Sequence, residues 1–189
     1  MLASLFLLLA ALPATDAGIS PEQAGAEELA ERTRGVQVMI AVDANAVIGL
    51  SDENDATTGF SVDPRVGLQI DLGAGLLLTP EVMGSFARFG KAERISLDSP
   101  PDHTAFRALG GLRLAWAGDF QPAVFAHGGL GRRDPGRGHE LGASFDAGAA
   151  LEYAGLGVLR VGIQASWNAI ALSPLFDWVG IGIHGGLVF

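Results

Sequence analysis

From residue 36 the hydrophobic positions recur at every second residue, and they keep that period to the end of the chain at Phe189. Eight segments carry it: 36–46, 60–72, 76–86, 106–116, 120–130, 141–153, 159–169 and 178–189. The first places Val36, Val38, Ile40, Val42 and Ala44 on one phase against Gln37, Met39, Asp43 and Asn45. The second opposes Phe60, Val62, Val66, Leu68, Ile70 and Leu72 to Arg65, Gly67, Gln69 and Asp71. In the third, Leu78, Val82 and Phe86 face away from Thr79, Glu81, Met83 and Ser85; in the fourth, Phe106, Ala108, Leu112, Leu114 and Trp116 face away from Arg107, Gly111 and Arg113. The later segments repeat the pattern, with Gln121, His127, Asp146, Glu152, Arg160, Gln164 and His184 on the polar phase. Strict alternation over such lengths predicts strands with one apolar and one polar face.

The connections alternate as well. Short ones occur at 73–75, 117–119 and 154–158, and longer polar ones at 45–59, 90–104, 131–140 and 170–174. If sequence neighbours pair antiparallel, every short turn falls at one end of the sheet and every long loop at the other. An even strand count then leaves both ends of the sheet's chain at the short-turn end. The predicted fold is all-β: an eight-stranded antiparallel up-and-down barrel, preceded by a short helix.

Which face looks inward is the next question, because a soluble lipocalin-like barrel has the same strand count with its apolar face inside. Three features favour the opposite arrangement, a transmembrane barrel with a filled polar interior. The polar phase is poor in lysine and rich in small residues, which suits the narrow inside of eight strands. Its charges nearly balance, with Asp43, Asp71, Glu81, Asp146 and Glu152 against Arg65, Arg107, Arg113 and Arg160, and buried charges require partners. Aromatic residues of the apolar phase gather near strand ends: Trp116, Phe120, Tyr153 and Phe189 toward the short turns, Phe60, Phe86, Phe106 and Trp167 toward the long loops. Two aromatic girdles around an aliphatic band match the two interfaces of a bilayer.

Composition narrows the picture further. The chain is 49% hydrophobic with 27 glycines among 189 residues and a mean hydropathy of +0.33, yet beyond the first residues no run is long enough for a spanning helix. The net charge of -9 argues against nucleic acid as a partner, since phosphate binding needs a clustered basic surface. Absence of cysteine removes disulfides and thiolate metal sites.

Over 35–189 the chain resembles the small eight-stranded outer-membrane barrels of Gram-negative bacteria, on its alternation, its loop asymmetry and its terminal Phe189. The resemblance implies an outer-membrane location, short periplasmic turns and longer surface loops. It further implies outer-membrane lipid and lipopolysaccharide as surroundings, and recognition of the last strand by the barrel assembly machinery. Upstream, residues 1–17 read as a signal peptide, with an apolar run from Leu2 to Leu12 and small residues at Thr15 and Ala17, although no Lys or Arg precedes the run. Residues 18–34 read as a short periplasmic helix, with Ser20 as cap, Pro21 in the first turn and Glu28 and Arg32 spaced i, i+4.

Candidate chemistry is sparse. His127 and His184 fall on the inward phase, where interior hydrogen bonding is expected rather than metal binding. The acidic loop 51–59 lacks the spacing of a calcium loop. Arg132, Arg133 and Arg137 cluster in a long connection and are candidates for surface phosphate contact. Ser166 lies near Asn168 but has no neighbouring base. No catalytic, metal or cofactor site is expected, and the role read from the sequence is structural or surface-interacting through the loops. The alternatives are a narrow passive channel and, behind it, a lipid-modifying enzyme or a soluble lipocalin-like binding barrel. Deleting Phe189 is expected to reduce assembly in cells, read as loss of the heat-modifiable folded band in membrane fractions; undiminished folded protein would contradict it.

Overall fold

The computed structural model describes residues 35–50, 57–91, 103–135 and 138–189. Among these, each alternating segment is a strand: β1 (Val36–Gly49), β2 (Thr57–Gly73), β3 (Leu76–Lys91), β4 (His103–Trp116), β5 (Phe120–Asp134), β6 (Glu140–Leu156), β7 (Leu159–Ile170) and β8 (Phe176–Val188). Every strand pairs antiparallel with its sequence neighbours, and β8 returns to pair with β1, from Met39↔Val188 to Gly49↔Trp178. The result is a closed up-and-down barrel. The expected signal peptide and lead-in helix lie outside the described residues.

The apolar phase faces out. Ile40, Val82, Ile163 and Ile183 leave 49%, 64%, 62% and 66% of their surface uncovered, although they come from four different strands. A soluble protein rarely leaves so continuous an apolar surface open, so the barrel exterior is built for acyl chains. The aromatics of the apolar phase stand at the two ends of this band. Phe86 stacks between Phe60, at 6.2 Å, and Phe106, at 5.0 Å, toward the long loops, while Phe120 meets Tyr153 at 5.1 Å toward the turns.

Strands run farther toward the loops than the hydrophobic period does. β3 continues from Phe86 to Lys91 and β5 from Leu130 to Asp134. The ladder outlasts the alternation because beyond the hydrocarbon the outward side chains meet water, and nothing then demands that they be apolar. Pro80 and Pro122 each call for a bulge or a strand end, but the ladders pass both in register, as Pro80↔Leu112 and Pro122↔Leu151. Pro122 sits two residues into β5. Pro80 faces the place where the β2–β3 ladder steps from Gly67↔Glu81 to Ile70↔Leu78, so its missing N–H falls in a gap of the pairing.

Inward glycines set how closely neighbouring backbones approach. A Cβ on Gly182 would fall 2.0 Å from the carbonyl oxygen of Ala44 across the β1–β8 seam, whereas one on Gly185 of the same strand would meet nothing within 4 Å. Gly182→Ala is expected to destabilise the barrel by about 1–3 kcal/mol, as overpacking does, in urea unfolding from lipid vesicles. Gly185→Ala is expected to leave the midpoint unchanged or raise it; equal effects would contradict this account of the seam.

Candidate functional site

The polar phase of all eight strands converges on one buried layer at mid-barrel. Its hub is Glu81 of β3. Arg65 of β2 donates from Nη1 to both Glu81 oxygens, at 3.3 and 3.4 Å, and Arg113 of β4 lies with Nε 3.5 Å from Oε1. His127 of β5 bridges two carboxylates, with Nε2 2.8 Å from Glu81 Oε1 and Nδ1 2.5 Å from Asp146 Oδ1 of β6. A ring donating from both nitrogens suits that position.

Two further groups complete the layer. Arg65 also reaches Asp43 of β1, through Nε at 3.4 Å and Nη2 at 3.4 Å, and Asp43 lies 2.7 Å from His184 Nδ1 of β8, itself 2.6 Å from Arg65 Nη2. Glu152 of β6 joins Arg113 and stands 3.7 Å from His184 Nε2. On the loop side, Arg107 of β4 donates to Ser85 at 2.9 Å and lies between Asp146, at 3.8 Å, and Asp63, at 4.0 Å. Asp63 accepts from Asn45 and Ser61, at 2.8 and 2.9 Å, and Asn45 in turn accepts from Gln164 of β7 at 3.2 Å. A cavity of about 10 Å³ lies among Asp43, Asp63, Arg65, Arg107, Arg113 and His127, barely one water's worth.

Above and below, the same inward phase turns apolar. Toward the loops Val47, Ala87, Phe89, Ala105, Ile170, Phe176 and Trp178 form a buried cluster, with Phe89 and Trp178 fully covered. Toward the turns Leu77, Ala115, Ala123, Phe125 and Ala150 form a second. Arginines join the layers through aromatic faces: Arg107 lies 4.8 Å from the Trp178 ring and Arg113 4.9 Å from Phe125, close enough for cation–π attraction.

Of the residues assigned to the interior from sequence, Asp43, Arg65, Glu81, Arg107, Arg113, His127, Asp146, Glu152 and His184 are brought together. Asp71 and Arg160 are not. Asp71 is exposed and accepts the N–H of Gly73 at 2.8 Å, shaping the β2–β3 turn. Arg160 reaches the carbonyls of Ala154 and Gly157, at 3.3 and 2.5 Å, bracing the β6–β7 turn. Both lie on the inward phase but at the turn end, where turn backbone groups are the nearest partners.

The arginine cluster also separates. Arg132 points outward, beside Asp134 at 3.1 Å, whereas Arg133 turns in and lies 4.3 Å from the Phe176 ring. Arg133 is therefore part of the loop-end plug rather than a surface phosphate contact, and Arg137 falls outside the described residues. Asn45 and Gln164, on the polar phase in the sequence, join the network as uncharged members, and the same period carries Asp63 inward beside them. Ser166 accepts a hydrogen bond from Asn168 Nδ2 at 2.9 Å. Among the described residues no group of three or more His, Cys, Asp or Glu is arranged to hold a metal ion.

Glu81→Ala is expected to destabilise the folded barrel by about 3–5 kcal/mol, because it leaves Arg65 and Arg113 buried without their shared counter-charge. Glu81→Gln, which keeps an accepting oxygen, is expected to cost less. Urea unfolding in vesicles measures both; an alanine variant as stable as the parent would remove the hub.

No protein-family model and no curated protein sequence matches the chain. Solved structures do match. Neisserial surface protein A aligns with a TM-score of 0.61 at 14% identity, over 80% of this chain and 97% of that one. Ail, the attachment invasion locus protein of Yersinia pestis, aligns with a TM-score of 0.45 at 15% identity, over 82% and 99%. The outer membrane enzyme PagL aligns with a TM-score of 0.46 at 17% identity, over 77% and 98%. Likeness at these identities is likeness of fold. With its closed β1-to-β8 ladder, lipid-facing apolar exterior and filled polar core, the chain has the fold of the small eight-stranded outer-membrane β-barrel proteins.

Proposed function

We infer that the protein is a closed barrel of the outer membrane with a structural or surface-interacting role, carried out through the long loops rather than through a pore or a catalytic centre. The observation that carries this reading is the sealed interior. A charge-paired layer with room for about one water stands between two apolar plugs, and eight strands leave space only for side chains. A solute path would have to displace Trp178 and Phe89 from full burial and then break Arg–carboxylate pairs in a low-dielectric interior.

The orientation follows the fold class. The start of β1 and the end of β8 share the turn end, with Val36 opposite Ile70 and Leu187 opposite Leu159. That end is assigned to the periplasm and the loop end to the cell surface. A non-enzymatic role is supported by the inward placement of Ser166 and His127, both held by neighbouring polar side chains away from lipid.

Planar-bilayer recording of the purified full chain tests the reading. The expected trace shows no stable unitary openings across roughly ±100 mV, the scale on which a moved elementary charge is worth about 2.3 kcal/mol. Reproducible openings of fixed size would overturn the sealed-barrel reading in favour of a narrow channel.

A further inference from the structure

The lipid-facing wall is not uniformly convex. Across β2, β3, β4 and β5 the outward positions Pro64, Gly84, Ala108, Gly110 and Gly128 lie side by side, with Gly84 opposite Ala108 and Gly110 opposite Gly128. They form the floor of a groove of about 730 Å³ whose walls are Ile40, Val42, Val66, Val82 and Leu130. That volume is within the roughly 300–1,000 Å³ usual for sites that seat a small ligand.

Barrel packing does not require these glycines. A Cβ on Gly84 would meet only a Pro64 carbon at 3.9 Å, one on Gly110 only the Glu81 carbonyl at 3.9 Å, and one on Gly128 only the Phe145 ring at 3.7 Å. The inward Gly111 and Gly129 contrast sharply, since each would drive a Cβ to 2.1 Å from a carbonyl oxygen of the next strand. A glycine inside a strand is destabilising relative to alanine. Three of them on one outward patch therefore carry a cost that no contact within the protein returns, and what they leave is room.

The rim of this groove is charged on one side. Arg88 lies four residues beyond Gly84 on β3, and Arg132 four residues beyond Gly128 on β5, both on the outward phase and both toward the loops. At about 3.3 Å per strand residue each is about 13 Å from the floor. Thr104 of β4 stands between them in the register, opposite Arg88 on one side and Asp134 on the other, and the ring pair Phe86 and Phe106 lies just below. The ion pair of Arg132 with Asp134 is half exposed, and such a pair is weakly held. Along the wall, a cationic position is followed by an aromatic one and then by an apolar trough.

We propose that this wall is a lipid site, in which the groove seats an acyl chain of a phosphorylated, multiply acylated lipid from the leaflet on the loop side and Arg88 and Arg132 hold its phosphate. The order of surfaces is that of the lipid: an anionic head at the interface, then hydrocarbon. A second copy of this barrel docked in the groove would use the apolar trough but would have no use for the two arginines above it. Charge complementarity thus favours the lipid.

The test uses the full chain purified in detergent and native mass spectrometry with added diphosphorylated lipid A, with phosphatidylcholine as the neutral control. Two variants are compared, Gly84→Leu with Gly110→Leu, and Arg88→Gln with Arg132→Gln, each checked for the heat-modifiable folded band. Lipid A is expected to bind the parent in preference to phosphatidylcholine, and each variant is expected to lose about tenfold or more in affinity. Equal retention by the parent and either variant would overturn the proposal, as would equal binding of the neutral lipid, or a dimer that the leucine variant abolishes while lipid A binding persists. Folding of the glutamine variant does not depend on filling the groove, so the headgroup arm stands if the leucine variant fails to fold. A sealed, non-conducting barrel is compatible with either result, so failure here is distinguishable from failure of the closed-barrel reading.

Discussion

In hydrocarbon there is no water to take up an unpaired N–H or C=O, and each such group left open costs several kcal/mol. A sheet can cross only if its last strand returns to its first. Here that return is the β1–β8 seam, eleven consecutive pairs from Met39↔Val188 to Gly49↔Trp178. Everything inside follows from closing on eight strands, because that number leaves a lumen only as wide as the side chains that point into it. The period of two then places on that lumen the polar half of each strand.

A buried charged layer is a costly way to fill such a space, and ion pairs of this kind seldom add net stability. Their value here is positional. Most outward positions are aliphatic, so at most of them a strand slipped by two residues would present the same kind of surface to lipid and keep its phase. Inside, the same slip would move Glu81 away from Arg65, Arg113 and His127 at once, and Asp43 away from Arg65 and His184. Register is therefore discriminated by the interior, where every strand contributes at least one member of the network.

Direction was legible in the sequence and depth was not. Alternation alone says which residues share the inward phase, and Asp43, Glu81, Arg113, His127 and His184 on that phase are buried in the barrel. It did not say how far along the barrel each one sits. Asp71 and Arg160 have the right phase but stand where the strands turn, so the N–H of Gly73 and the carbonyl of Gly157 satisfy them instead. Arg133 fails for the same reason at the other end, drawn in over Phe176. The apolar plugs were hidden by a converse effect. Phe89, Phe125 and Trp178 share a phase with charged residues, and only their distance from mid-barrel makes an apolar partner available to them.

Sealing and register turn out to be linked through the arginines. Arg107 contacts Asp146 and Asp63 on one side and the Trp178 ring on the other, and Arg113 joins Glu81 and Glu152 while lying over Phe125. A change in the plugs is therefore felt by the charges that align the strands, and a change in the charges loosens the plugs. Among the described residues the lumen is filled by side chains of β1 to β8, with Leu172 of the β7–β8 connection packed against the loop-end cluster.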